Sequence, residues 1–104
     1  MTSKQRAYLK SLAMNMDPIY HVGKASLTTE IIEGIREALE ARELVKVGVL
    51  KNCIDDPREI AQMIAERTRS ELVQVIGKKI VLYRPASDPK KRKIELPAAK
   101  KEKK

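Results

Sequence analysis

The spacing of hydrophobic positions along the chain predicts three helices and four strands. Apolar residues recur at helical intervals in three segments, at about residues 3–14, 29–42 and 57–68. Short apolar or alternating runs, which are typical of strands, lie at residues 19–22, 44–50, 71–76 and 79–84. The predicted order is therefore α-β-α-β-α-β-β. One sheet with helices packed on it gives an α/β (α+β two-layer) fold.

Capping and turn residues place the boundaries of these elements. The side-chain oxygens of Ser, Thr and Asp accept the free N–H groups of a first helical turn, and proline suits the first helical position. The predicted caps are Thr2 or Ser3, Thr28 or Thr29, and Asp56 followed by Pro57. Gly77 and Lys78 form a two-residue turn of the kind that joins a hairpin, here between the last two strands.

The same periodicity selects the residues expected in the core. From the helices these are Leu9, Leu12, Ala13, Ile31, Ile32, Ile35, Ala38, Leu39, Ile60, Met63 and Ile64. From the second strand they are Val45, Val47 and Val49. The other face of that strand carries Lys46 and Gly48, so we expect it to be thinner and partly wet.

Length and charge indicate one domain followed by a basic tail. A chain of 104 residues has room for a single core, and its net charge is +8. Residues 85–104 contain eight basic and three acidic residues, and residues 1–84 contain fourteen and eleven. We therefore predict a folded domain at 1–84 and a flexible tail at 85–104, in which Ile94 and Leu96 are able to dock.

Several classes of function lack the residues that they need. One cysteine, Cys53, excludes an intramolecular disulfide, and with the single histidine, His21, it supplies only two of four zinc ligands. No stretch approaches the ~20 apolar residues of a membrane span, and the N-terminus lacks an apolar signal region. We find no nucleotide-binding motif either. The expectation is a cytoplasmic, monomeric protein without cofactor, metal or membrane partner, and not an enzyme.

Two basic features are candidates for binding a polyanion such as nucleic acid. Gly23, Lys24, Ala25 and Ser26 form a short loop before the second helix, where backbone N–H groups attract phosphate. KH domains hold an RNA backbone with a loop of this size. An ordinary strand-to-helix turn explains the same residues. The second feature is the first helix, whose Lys4, Arg6 and Lys10 lack acidic partners on that helix and fit either phosphate binding or a solvated face.

A third basic set lies near the last two strands. Its members are Arg67, Arg69, Lys78, Lys79 and Arg84. The two lysines fall at the tip of the predicted hairpin, which is an exposed place. Arg69 has Glu66 and Glu71 as possible partners, so solubility and salt bridges explain these residues as well as RNA binding does.

Four segments of the chain resemble the CRM domain (chloroplast RNA splicing and ribosome maturation) in its stand-alone bacterial, YhbY-like form. They are KSLA at 10–13, PIYHVGKASLT at 18–28, LEARELVKV at 39–47 and TRSELVQVIGKKIVLYR at 68–84. The trailing KIELP at 93–97 is also similar. The family carries a GxxG loop that aligns with residues 23–26. Gly23 and Lys24 match it, whereas Ser26 stands where the family has glycine.

The resemblance implies a fold similar to the C-terminal domain of translation initiation factor three, with a four-stranded mixed sheet. It also implies RNA binding, with ribosomal RNA and the precursor of the large ribosomal subunit as partners. The residues expected to contact RNA are Gly23, Lys24, Ala25, Ser26, Lys4, Arg6, Lys10, Arg69 and Arg84. The alternatives are a protein–protein adaptor of the ribosome or translation machinery and, from the residue types alone, a small enzyme using His21 or Cys53.

Overall fold

The structure, a computed structural model, describes residues 1–97. Its helices are α1 (Ser3–Ala13), α2 (Thr29–Arg42) and α3 (Pro57–Thr68), followed late in the chain by one 3-10 turn (Pro89–Lys91). Its strands are β1 (Tyr20–Val22), β2 (Leu44–Val49), β3 (Glu71–Ile76) and β4 (Lys79–Tyr83). The predicted order of elements is confirmed, and the predicted ends agree to within one residue.

The helix starts show which predicted caps form. Thr2 and Gln5 make a reciprocal capping box, in which each backbone N–H donates to the other side chain at 3.1 Å. The Thr28 hydroxyl accepts from the N–H of Ile31 at 3.2 Å. Asp56 occupies the cap position of α3, but its side chain makes no capping hydrogen bond, so that part of the prediction is wrong. Pro57, whose fixed φ suits the first helical position, marks this start instead.

The four strands form one mixed sheet in the order β1-β2-β4-β3. β1 and β2 are parallel and are joined through α2, as a parallel pair requires a crossover. β4 is antiparallel to both β2 and β3. This mixed four-stranded sheet with three helices confirms the expected fold class.

The helices divide between the two faces of the sheet. α2 and α3 pack on the face that carries the valines of β2, together with Ile80 and Leu82. α1 packs on the opposite face, where Leu9 and Ala13 meet a cluster that includes Val81. The protein thus has three layers, where we expected two. The face that the sequence indicated as thin is covered over part of its area by α1, because Leu9 and Ala13 are fully buried there.

Two expected core residues lie at the surface. Leu12 of α1 is 38% exposed and Met63 of α3 is 40% exposed, so both predictions were wrong. In α3 the buried side is formed by Ile60, Ala61, Ile64 and Thr68. Met63 lies to one side of this stripe, whereas the small Ala61 is fully buried.

The described part of the C-terminal segment, residues 85–97, lies against the domain. Ala86 is fully buried, and Ile94 and Leu96 pack on the cluster beneath α1, which agrees with the docking expected for those two residues. The amide of Gln5 also donates to the carbonyl of Pro97 at 3.0 Å. The boundary predicted at residue 85 stays a prediction, and residues 98–104 of the predicted tail lie outside the described residues.

Candidate nucleic-acid interface

Three connecting segments meet at one end of the sheet. Val22 pairs with Val49 at the ends of the two parallel strands, and Lys79 pairs with both Gly48 and Ile76. The segments 23–28, 50–56 and 76–79 therefore share this end, which we call the loop end. α2 and α3 both begin there. The tail end is the opposite end of the sheet, where α2, α3 and β4 finish and segment 85–93 begins.

The segment Gly23–Ser26 forms a tight turn. The N–H of Ser26 donates to the carbonyl of Gly23 at 2.8 Å, which closes the turn and leaves Lys24 and Ala25 exposed at its tip. A Cβ on Gly23 would lie 3.3 Å from Leu50 Cδ1 and 3.4 Å from Asn52 Oδ1. A larger residue at this position would therefore press on the side chains of the neighbouring segment 50–56, which would have to shift slightly.

Ser26 shows what replaces the family glycine. Its φ is +57°, in the left-handed region that favours glycine, so the loop does require this conformation. The Ser26 hydroxyl hydrogen-bonds to the carboxylate of Asp55, which compensates for the strain and joins the two loop-end segments. The N–H and the hydroxyl of Ser26, the two groups with which it would donate to a phosphate, thus have partners inside the chain.

Lysine side chains surround the turn at the loop end. Lys24, Lys51 and Lys78 are exposed, each on a different connecting segment. The ion pairs within residues 1–97 are Arg36–Glu33 and Arg84–Glu40, and neither involves a loop-end lysine. Segment 50–56 also carries two acids, Asp55, which accepts a hydrogen bond from Ser26, and Asp56, which is exposed. Lys51 is a candidate that sequence reasoning missed, since only the fold brings segment 50–56 beside the turn.

The three basic residues predicted on α1 have different environments. Lys4 is exposed near the start of the helix, and Lys10 is exposed near its end, toward the loop end. Arg6 donates to the carbonyls of Leu72 at 2.6 Å and Val73 at 3.0 Å. These carbonyls belong to an irregularity in the edge strand β3. Arg6 thereby connects α1 to the sheet, which is a structural role for its guanidinium.

Arg69 and Arg84 lie at the tail end, about 17 Å from the loop end, given six residues in β2 and a rise of ~3.3 Å per residue. Arg84 donates to the carbonyl of Thr68 at 2.8 Å and to Glu40 Oε1 at 3.2 Å. Arg69 is exposed and ends α3 with φ +56°. The structure therefore does not bring these two arginines together with the Gly23–Ser26 turn.

The tail end contains a buried acid that sequence reasoning missed. Glu43 is fully buried between α2 and β2, and its carboxylate accepts three backbone N–H bonds. The donors are Ala86 at 2.8 Å, Lys93 at 2.7 Å and Ile94 at 2.8 Å. The signal in the sequence was an acid directly before a strand that is apolar except for Lys46, inside the LEARELVKV segment. Its partners are more than forty positions away, so the pattern alone did not reveal them.

Hydrogen bonds shift the acidity of both glutamates at the tail end. Burial alone would raise the pKa of Glu43, but the three N–H donors and nearby Arg92 outweigh it and hold the pKa below the usual value. The backbone N–H and hydroxyl of Ser87, assisted by Arg84, lower the pKa of Glu40. Both carboxylates are therefore charged near neutral pH and act as acceptors for the C-terminal segment.

The fold and this lysine-rich loop end define a small mixed α/β module with an exposed basic turn. A family model of the CRS1/YhbY (CRM) domain matches residues 1–84. The chain belongs to this family, as the resemblance had indicated. Among residues 1–97, no helix is long and apolar enough to cross a membrane.

Curated relatives and a solved structure are similar over nearly the whole chain. The "Probable RNA-binding protein YqeI" of Bacillus subtilis is 46% identical over 97 residues, which cover 93% of this chain and 99% of that protein. An RNA-binding protein of Haemophilus influenzae is 35% identical over 97 residues, covering 93% and 95%. The solution structure of SAV1595 from Staphylococcus aureus has a TM-score of 0.75 and 50% identity, covering 93% of this chain and 99% of that one.

Proposed function

We propose that this protein binds RNA through its loop end, and that its target is ribosomal RNA in a precursor of the large ribosomal subunit. The observation that carries the proposal is the set of lysines around the Gly23–Ser26 turn, which have no acidic partner within residues 1–97. Unpaired lysines of this kind neutralise phosphates and release counterions on binding. Membership of the CRM family and the names of the relatives support the RNA-binding part of the proposal.

In this proposal the residues of the turn have separate tasks. Lys24, at the exposed tip, contacts the phosphate backbone, and Lys51 and Lys78 extend that contact on either side. Gly23 and Ser26 give the turn its shape and hold it against segment 50–56. Lys10 borders the loop end from α1. Lys4 and Arg69 stay predicted contacts, at a distance from the turn.

The proposal describes a binding protein of the cytoplasm that acts as a monomer and is not an enzyme. Phe and Trp are absent from the sequence, so a broad aromatic platform for stacking bases is missing. Recognition then depends mainly on the shape and phosphates of the RNA. With about six phosphate contacts, affinity falls roughly a thousandfold between 50 and 200 mM salt.

One observation favours the alternative function, a protein–protein adaptor: an apolar side chain is exposed at the loop end. Ile54, in segment 50–56 of the loop end, is 89% exposed, as an anchor for another protein would be. Binding to protein-free RNA distinguishes the two functions, because an adaptor that does not recognise RNA would bind only through a protein partner.

The test measures fluorescence anisotropy of a labelled, protein-free fragment of large-subunit ribosomal RNA across a salt series. The triple variant Lys24→Ala, Lys51→Ala, Lys78→Ala is compared with the matched triple Lys90→Ala, Lys91→Ala, Lys93→Ala. We expect wild type to bind with a steep salt slope, and the loop-end triple to lose at least tenfold more affinity than the matched triple. Equal losses would assign the affinity to general charge, and no binding by wild type would favour the adaptor.

A further inference from the structure

A groove lies on the α1 face of the sheet, next to the loop end. It has a volume of about 380 Å³, within the range of ~300–1,000 Å³ that small-molecule sites occupy. Its lining residues are Lys10, Ala13, Met14, Lys46, Gln74, Ile76, Lys79 and Val81. The groove exists because α1 ends at Ala13, whereas the strands continue beyond it to the row formed by Gly48, Lys79 and Ile76.

The apolar part of this groove is open to solvent. Met14 is 74% exposed and Ile76 is 60% exposed, although side chains of these types are usually buried. Elsewhere on the same face, Leu44 and Tyr83 are covered by α1 and the C-terminal segment. Met14 and Ile76 therefore leave apolar area uncovered at the groove and its rim.

Three lysines converge on the groove from two directions. Lys10 belongs to the α1 wall, and Lys46 and Lys79 project from neighbouring strands of the sheet. None of them takes part in an ion pair within residues 1–97, and Lys46 is half-buried. Like charges on one face of a sheet repel one another, and a cleft with low-dielectric walls focuses their field. An anion in the groove relieves this repulsion.

We infer that the groove binds one unpaired nucleotide of the RNA target. The apolar floor formed by Val81 and Ile76 accepts a face of the base, while the three lysines hold the adjoining phosphates. The amide of Gln74 offers a donor and an acceptor to the edge of the base. The inference rests on the proposed function and adds a preference for single-stranded over double-stranded RNA, because a paired base is not free to enter.

A row of paired residues leads from the groove toward the Gly23–Ser26 turn: Ile76 pairs with Lys79, Lys79 with Gly48, and Gly48 with His21. His21 is exposed on the same face of the sheet and lies over Gly48, where an added Cβ would approach His21 Cδ2 at 2.9 Å. Since His21 precedes the turn by two residues, a strand of RNA held by Lys24 crosses the imidazole on its way to the groove. Imidazole rings are among the surfaces on which unpaired bases stack.

An acidic peptide is the competing occupant for a lysine-lined groove, and the backbone argues against it. β2 and β4, which supply Lys46 and Lys79, are interior strands whose N–H and C=O groups are already paired. At Lys46 and Lys79 the groove therefore presents side chains alone, and the strand edge that an extended peptide pairs with lies on the far side of β3, beyond Gln74 and Ile76. A planar base needs no such edge.

The test uses the full chain and a fluorescein-labelled, mixed-sequence 12-nucleotide single-stranded RNA, beside the blunt duplex of the same sequence. Lys46→Met with Lys79→Met is the groove variant, and Lys90→Met with Lys91→Met removes equal charge elsewhere. We expect the groove variant to bind the single strand at least tenfold more weakly than the matched variant does, with no such excess loss for the duplex. The melting temperature of the groove variant should equal that of wild type, because Lys46 and Lys79 form no ion pair within residues 1–97.

A second probe, an abasic strand of the same length, measures how much the bases contribute to affinity. Wild type should bind it more weakly than the intact strand, and Ile76→Ser, which makes the floor polar, should remove most of that difference. A groove variant that binds the single strand as the matched variant does overturns the inference, while RNA binding by wild type keeps the proposed function intact. Absence of any RNA binding by wild type overturns both. Polyglutamate that binds wild type as tightly as RNA, and depends on Lys46 and Lys79, assigns the groove to an acidic protein.

Discussion

The two ends of the sheet both carry many charges, but those charges have different partners. At the tail end the guanidinium of Arg84 and the carboxylates of Glu40 and Glu43 bind groups of the same chain. At the loop end Lys24 and its neighbours have no acidic partner within residues 1–97, a property that they share with the exposed Lys90 and Lys91 of the C-terminal segment. A charge with internal partners maintains the fold, and a charge without them is available to a ligand. The comparison teaches that basic residues must be sorted by their partners before they are assigned to RNA.

The largest effect is expected at Glu43, the centre of the tail end. Glu43→Ala leaves three N–H groups of the C-terminal segment without an acceptor and should lower the free energy of unfolding by about 3–5 kcal/mol. Glu43→Gln keeps one acceptor oxygen and should lose roughly half as much. Urea unfolding followed by circular dichroism measures both, with Glu37→Gln on the exposed side of α2 as control. An unchanged urea midpoint for Glu43→Gln would contradict the assignment.

The same carboxylate makes stability depend on pH. Glu43 has a lower pKa in the folded protein than its ordinary value of 4.5, so its contribution is fully present above about pH 4.5. It is lost as the pH falls through the lowered pKa of the folded state, because protonation is easier in the unfolded chain. We expect the melting temperature of wild type to fall more steeply between pH 5 and 3 than that of Glu43→Gln. Parallel curves for the two proteins would show that another group is responsible.

Removing one charge at the tail end should lower stability and leave RNA affinity nearly unchanged, whereas removing one at the loop end should do the reverse. Arg84→Met should lower stability by about 2 kcal/mol, because two charge-assisted hydrogen bonds are lost. Its RNA affinity should change by no more than about twofold at 0.1 M salt. Lys24→Met should leave stability within about 0.5 kcal/mol and weaken binding about fivefold, as one phosphate contact does. If Arg84→Met loses affinity as much as Lys24→Met, the sequence-based assignment of Arg84 to the RNA site stands.

The smallest effect is expected at Ser26. Ser26→Ala removes the hydrogen bond to Asp55 and keeps a side chain at φ +57°, so it should cost about 1 kcal/mol. Ser26→Gly loses the same bond but relieves strain of about 1 kcal/mol, so its stability should stay close to that of wild type. Thermal unfolding of the two variants measures this difference. Equal losses would mean that the backbone conformation at residue 26 is not strained.

Local patterns predicted the elements well, and the reason is visible at α2 and the hairpin. Helical periodicity and the Thr28 hydroxyl are sufficient to begin α2, and Gly77 with φ +55° makes the predicted turn. The family resemblance, which rests on residues 18–28 and 68–84 among others, extended the prediction from separate elements to the four-stranded mixed sheet. Each of these signals depends on residues that are close together in the chain.

The remaining features depend on residues that are distant in the chain. The bonds of Arg6 to β3 and of Glu43 to segment 86–94 span 43 or more positions, so periodicity contains no trace of them. Likewise, the side of α3 that is buried is set by its packing on the sheet, where Ala61 and not Met63 joins Ile60 and Ile64 in the core. For the candidate site, sequence identified the turn but did not separate Lys24 from Arg84. That separation requires the three-dimensional partners.

The central claim is that RNA meets the loop end and leaves the tail end free. Backbone amide shifts in an NMR titration of the ¹⁵N-labelled protein with the large-subunit ribosomal RNA fragment test it most directly. The account predicts that perturbations concentrate at residues 23–26, 50–54 and 74–79, with little change at residues 67–70 and 84–93. Perturbations concentrated at the tail end, with the Gly23–Ser26 turn unchanged, would contradict it.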